Sequence, residues 1–210
     1  MSAFPLRLSQ GYRGFRAGRF GTEQARYRLL AENGQRPEIM VIGCIDSRVS
    51  PEAIFDAAPG ELLVARNVAN LVPAYEPNGD SQHGTSAALE FAVKALCVKH
   101  IVVLGHAHCG GISAFANDIE PLSPGDFIGK WMSQIAPAAS ALGPRDSHAS
   151  YLRRLEFASV DLSLNNLMTF PFVRRPVEDG VLALHGAYFG IAEGELLVRN
   201  PVTGAFEAMP

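Results

Sequence analysis

The chain has 210 residues, of which 48% are hydrophobic and 19% charged, with a formal net charge of −3. That balance excludes a disordered chain, and the length can close a full core without disulfide staples. The small net charge gives no overall attraction to nucleic acid, and no apolar run approaches the roughly 18 residues of a membrane helix, so neither is expected as a partner.

Residues 1–22 carry Arg7, Arg13, Arg16 and Arg19 and no acid, and they lack the apolar stretch of a signal peptide. Residues 21–33 show amphipathic helical spacing. We therefore expect residues 1–33 to form a helical arm that packs on a partner subunit. The alternative is an organelle transit peptide. Four short apolar runs follow, at 39–42, 62–65, 101–104 and 181–184. None alternates with polar residues, as expected of strands covered on both faces in a mostly parallel sheet. A fifth run, 195–198, follows Glu193-Gly194 and reads as a hairpin return at the sheet edge.

Helical periodicity fills the intervals. Ala88, Phe91, Ala92 and Ala95 mark a helix over 85–96, and Leu152, Leu155, Val160 and Leu164 mark another over 147–167. Residues 123–140, with Trp131 and Met132, read as a helix offering an apolar face either to a partner or to the subunit's own core. Cys97, closing the helix before the third strand, reads as a small buried hydrophobe. The expectation is an α/β fold: one domain over 34–210, with four mostly parallel strands, an antiparallel edge strand and flanking helices.

Open sheets of this kind bind ligands at the carboxyl ends of their strands. After the first strand comes Gly43-Cys44-Ile45-Asp46-Ser47-Arg48, and after the third Gly105-His106-Ala107-His108-Cys109-Gly110-Gly111. His106 and Cys109 are three apart, which one helical turn would bring to a common face. Cys44, from the neighbouring strand end, is the natural third ligand. Two thiolates and one imidazole suit zinc, and three protein ligands leave a fourth position open for chemistry. Three cysteines in all, at 44, 97 and 109, argue against a secreted disulfide scaffold and for a reducing compartment, hence a cytoplasmic location. Asp46 can reach the metal or its water, and Arg48 can hold that carboxylate by a charge-assisted bond. Taken alone, the same residues also fit a local salt bridge, or a cysteine nucleophile paired with His106.

Together these segments resemble the β-class carbonic anhydrases. The likeness runs over about 34–206 and includes Pro59-Gly60-Glu61, the block from Arg66-Asn67 to Pro73, Gly84-Thr85 with Glu90-Phe91-Ala92-Val93, and Leu184-His185-Gly186 with Gly194-Glu195-Leu196. The resemblance implies a zinc lyase that interconverts carbon dioxide and bicarbonate by attack of zinc-bound hydroxide. It implies Cys44, His106 and Cys109 as ligands and Asp46 and Arg48 as the catalytic dyad, with Asp46 moving onto the metal only in a closed state. In the plant-type subclass the substrate contacts fall at Gln35, Leu63, Val68 and Phe91. The Gly110 N–H is a further candidate for the developing charge. The family more often has Phe at the position of Leu63, Tyr at that of Phe91, and a small residue at that of Ile45. Val41 and Phe189 stand where relatives with an inhibitory bicarbonate site have Trp and Tyr, and only Arg66 of that set is present. Bicarbonate-driven closure of that type is therefore not expected. His108 and His83 are candidate proton relays. The resemblance also implies a homodimer, with tetramers or larger assemblies as an extension. Hydrolysis of carbon disulfide or carbonyl sulfide, and a zinc-binding module without catalysis, are the alternative functions.

Overall fold

The computed structural model describes residues 4–77, 83–117, 127–145 and 147–209. It divides into two compact units, Met1–Arg36 and Pro37–Pro210.

The first unit is a pair of helices, α1 (Leu6–Ala17) and α2 (Arg19–Asn33), and neither has a buried residue. The rings of Phe15, Phe20 and Tyr27 meet at 5.5–6.1 Å between centroids, and the Arg16 guanidinium lies 4.4 Å from the Phe20 ring centre. This cluster joins the two helices across Gly18.

The second unit is built on a six-stranded sheet of order β2-β1-β3-β4-β5-β6. The strands are β1 (Ile39–Cys44), β2 (Leu62–Asn67), β3 (His100–His106), β4 (Ala183–Gly190), β5 (Glu195–Arg199) and β6 (Phe206–Ala208). The first four pair in parallel and the last two antiparallel. Two details differ from the sequence expectation. The fourth strand begins at Ala183 and continues to Gly190, while Val181 is 66% exposed. Phe206–Ala208 adds a short sixth strand whose three residues are too few to show a period.

The apolar runs lack polar alternation because both sheet faces are covered. Met40, Ile42, Ile101 and Val103 pack with Leu89 and Ala92 and with Val160 and Leu167. The alternate residues Val41, Leu104 and Ala187 form a separate cluster on the opposite side. The helices of this unit are α3 (Pro51–Ile54), α4 (Gly84–Glu90), α5 (Gly110–Asn117), α6 (Phe127–Met132), α7 (Ala136–Ala141), α8 (His148–Leu167) and α9 (Pro171–Glu178). Ser147 caps α8, its hydroxyl accepting from the Ser150 N–H at 3.2 Å.

The helix expected over 85–96 is α4 continued by a wider π turn, Phe91–Ala95. Cys97 ends it in a left-handed conformation (φ 54°) that turns the thiol out to solvent, and Val98 takes the buried place instead. The expectation of a buried Cys97 is thus corrected. Of the stretch 123–140, residues 123–126 lie outside the described residues. The rest is broken into α6, a 3₁₀ turn and α7, and its Met132 is buried with Ile112 and Leu155 in the subunit's own core. No helix among the described residues is long and apolar enough to cross a membrane.

Candidate metal centre

The chain leaves β1 to pair β2 on one side and β3 on the other, so the carboxyl ends of β1 and β3 flank a topological switch point. Cys44 is the last residue of β1 and His106 the last of β3. Cys109 follows three residues later in the chain, just before α5. The turn between them is no helical turn: His108 is left-handed (φ 55°), which reverses the chain and returns Cys109 toward His106. The spacing of three works here through that reversal rather than through helical periodicity.

The ligand atoms of Cys44, His106 and Cys109 all lie within 4.8 Å of one another, and all three residues are buried. His106 Nδ1 donates to the Ala107 carbonyl at 2.9 Å, which fixes the tautomer and leaves a lone pair on Nε2. That Nε2 is buried without a hydrogen-bond partner. An orphaned imidazole nitrogen facing two thiols is costly unless something binds it. The donor set is the one zinc takes, so the residues fit the ion.

The two thiols share a hydrogen bond. The hydrogen bond shared with Cys109 draws Cys44 down to about 4 against the opposing effect of burial, helped by the His106 ring and the Asp46 and Ala69 N–H groups. The same shared hydrogen bond and burial push Cys109 far up, while the N–H groups of Ile112 and Gly111 pull the other way. Burial disfavours charge on His106, but the Cys44 sulfur and the Ala107 carbonyl outweigh it and raise its basicity.

The Ala69 N–H reaches Cys44 through an unusual backbone. Ala69 and Asn70 are both left-handed, at φ 63° and 49°. Asn67 pins this turn: its Oδ1 accepts from the Leu71 N–H at 2.9 Å and its Nδ2 donates to the Leu71 carbonyl at 2.8 Å. On the other flank, Arg66 donates to the Cys44 carbonyl at 2.7 Å and to the Asp46 carbonyl at 2.6 Å. This role was not legible in the sequence, because the acceptors are backbone atoms.

Asp46 does not join the ligand cluster. Arg48 Nε donates to its Oδ1 at 2.9 Å and Nη2 to its Oδ2 at 2.6 Å, and the Arg48 N–H adds a third bond at 3.0 Å. The guanidinium holds the carboxyl well below the usual carboxylate range, with burial opposing in part. Arg48 Nη2 also donates to the His108 carbonyl at 3.3 Å, tying the two strand-end loops together.

The remaining expected site residues are less concentrated. Val68 lies against the start of α5, where a Cβ on Gly111 would come within 2.9 Å of its Cγ1. Gly110 opens α5, so its N–H has no partner within the helix. Leu63 is half-buried on β2 beside the first core, and Phe91 is 52% exposed at the π turn. Gln35 is exposed and belongs to the first unit. His108 is exposed at the ligand turn, and His83 is half-buried before α4. Sequence reasoning missed one buried acid: Glu156, 4% exposed on α8, accepts from the Cys109 N–H at 3.1 Å. Its signal was an acid within the apolar face of the helix at 147–167.

The carbonic anhydrase family model matches residues 39–196. Two Arabidopsis thaliana proteins are each 34% identical to the chain. Alignment with one, named β carbonic anhydrase 5, chloroplastic, spans 189 residues, 89% of this chain and 62% of that protein. Alignment with the other, named β carbonic anhydrase 3, spans 194 residues, 90% and 74%. Among solved structures, the β-carbonic anhydrase CcaA superposes with a TM-score of 0.83 at 31% identity, covering 97% of this chain and 91% of that one. A β-carbonic anhydrase from Sordaria macrospora, described as tetrameric, gives 0.78 at 27% identity, covering 96% and 98%. Family match, relatives and fold agree with the cysteine–histidine–cysteine cluster at the switch point, and the chain belongs to the β-carbonic anhydrase family.

Proposed function

We propose that this protein is a zinc-dependent carbonic anhydrase that reversibly hydrates carbon dioxide to bicarbonate and a proton. The observation that carries the reading is the buried Cys44, His106 and Cys109 cluster beside a carboxylate locked onto Arg48. Zinc held there supplies Lewis-acid chemistry that makes water a nucleophile near neutral pH.

The protein's own residues then have separable tasks. Cys44 and Cys109 hold the ion through sulfur, and His106 through Nε2. Asp46, kept ionised by Arg48, accepts a hydrogen bond from the attacking oxygen's O–H and so keeps a lone pair of that oxygen turned toward the substrate carbon. Because Arg48 engages both its oxygens, Asp46 is held apart from the three residues that would bind the ion. Leu63, Val68 and Phe91 offer carbon dioxide an apolar surface without competing hydrogen bonds. The Gly110 N–H receives an oxygen on which charge develops, and in the homodimer Gln35 reaches the site from across the subunit interface. His108, exposed beside the ligands, passes the proton to solvent, with His83 as a second relay.

The decisive variant is Asp46→Asn. We expect turnover in stopped-flow carbon dioxide hydration to fall by about 10²–10⁴-fold, the usual span for a positioned acid–base group, with the metal content unchanged. A zinc-loaded variant with near-normal rates would remove Asp46 from the mechanism. Wild-type protein that holds zinc but hydrates no carbon dioxide would refute the activity itself, and hydrolysis of carbon disulfide or carbonyl sulfide by such protein would identify the replacement.

Val41 is 1% exposed and packs with Leu104, Ala187 and Phe189, and Arg66 is already engaged on two carbonyls. These contacts support a site without bicarbonate-driven closure. Activity is expected to decline smoothly as bicarbonate rises near neutral pH, and a sigmoidal collapse would contradict this. The family's oligomers and two N-terminal helices without buried residues support a homodimer, with the helical arm laid on the partner and a tetramer as the larger assembly.

A further inference from the structure

Glu156 is a buried acid that the proposed reaction does not use. Its Oε1 accepts from the Cys109 N–H at 3.1 Å, and its Oε2 accepts from the Tyr188 hydroxyl at 2.6 Å. Both donors are themselves buried, Cys109 at 0% and Tyr188 at 4% exposure. A carboxylate in such a place is costly, and a core meant only to be stable would fill it with an apolar side chain.

Its position is set by packing four residues further along the same helix face. A Cβ on Gly105 would lie 2.7 Å from Val160 Cγ2, and one on Gly186 would lie 3.0 Å from Val160 Cγ1. Val160 therefore seats in a notch shared by β3 and β4, which brings α8 close to the sheet. One turn toward the N-terminus, Glu156 arrives over the chain reversal that presents Cys109. Tyr188 stands opposite Gly105 in the β3–β4 register, so the same notch delivers the second donor.

The Cys109 sulfur takes its own backbone hydrogen bonds from the other direction, from the Gly111 and Ile112 N–H groups in the first turn of α5. Cys109 is thus held at its amide by α8 and at its sulfur by α5. Rotation of that one peptide would swing the sulfur away from Cys44 and His106. We propose that Glu156 is a positioning residue for the metal centre: it clamps the Cys109 amide against α8, with Tyr188 securing the other oxygen, and so aims the sulfur at the ion. The inference rests on the metal reading of Cys109.

The test compares Glu156→Ala, Glu156→Gln and Tyr188→Phe with Leu167→Ala, a core truncation in the same helix that touches no ligand. The readouts are zinc release to a chromogenic chelator and the thiolate-to-metal charge-transfer band of the cobalt(II)-substituted protein. Glu156→Ala is expected to release zinc about 10–100-fold faster, the usual effect of losing a ligand's outer partner, and to shift the cobalt band. Glu156→Gln keeps an oxygen for the Cys109 amide and is expected to restore most of both. Leu167→Ala should lower stability but leave the band and the release rate near wild type. Wild-type release and spectrum in Glu156→Ala, or equal changes in Leu167→Ala, would overturn the proposal. Should Glu156→Ala fail to fold, Tyr188→Phe decides: a shifted band supports the clamp, and wild-type values overturn it. A wild-type protein that takes up neither metal would instead refute the metal reading, which separates the two failures.

Discussion

Asp46 accepts three hydrogen bonds from Arg48 alone, two from the guanidinium and one from the backbone. The five-residue run from Cys44 to Arg48 made that pair legible, because an Asp and an Arg two apart beyond a strand end have few other ways to meet. The sign of its pH dependence follows from the lowered carboxyl. A folded-state value below the unfolded one, about 3.9, gives stability that is present above that pH and lost as pH falls through the folded value. In Arg48→Gln the carboxyl returns toward its ordinary range, so this contribution is missing at every pH and stability falls less steeply with acid than in wild type. A carboxyl-carbon NMR titration of Asp46, paired with urea unfolding between pH 3 and 5 (a window of roughly a unit about the reference value), checks both statements. Since Arg48 is largely exposed, the effect on overall stability is small.

At the scale of elements, the crossing of α8 over β3 and β4 governs how the centre is assembled. Gly105 permits that crossing, as an added methyl would sit 2.7 Å from Val160. Gly105→Ala is expected to lose about 1–3 kcal/mol, the usual range for overpacking a close contact. Equilibrium denaturation measures it, and an unchanged midpoint would show that α8 can lift without penalty. The apolar period of α8 was readable from Leu152, Leu155, Val160 and Leu164, but the depth of its seat was not. That depth depends on glycines of two other strands.

For the whole molecule, the unit Met1–Arg36 is a helix pair held by three aromatic rings, with no buried residue in either helix. Short helices with so little packing are marginal in isolation. If they wrap a second subunit, removing residues 1–33 should convert a sedimenting dimer into a monomer at micromolar concentration. An intact dimer after truncation would assign the interface elsewhere.

The amino-acid sequence by itself determined the parallel sheet, the two strand ends that carry chemistry and the identity of the three donors. It could do so because apolar runs report burial on both faces and strand ends are where such sheets gather ligands. Only the tertiary structure decided how His106 and Cys109 converge, that Cys97 faces solvent, and that Arg66 and Glu156 brace the ligand loops. Each of these depends on left-handed backbone, on hydrogen bonds to main-chain atoms, or on contacts between elements far apart in the chain. Side-chain pattern carries no record of them.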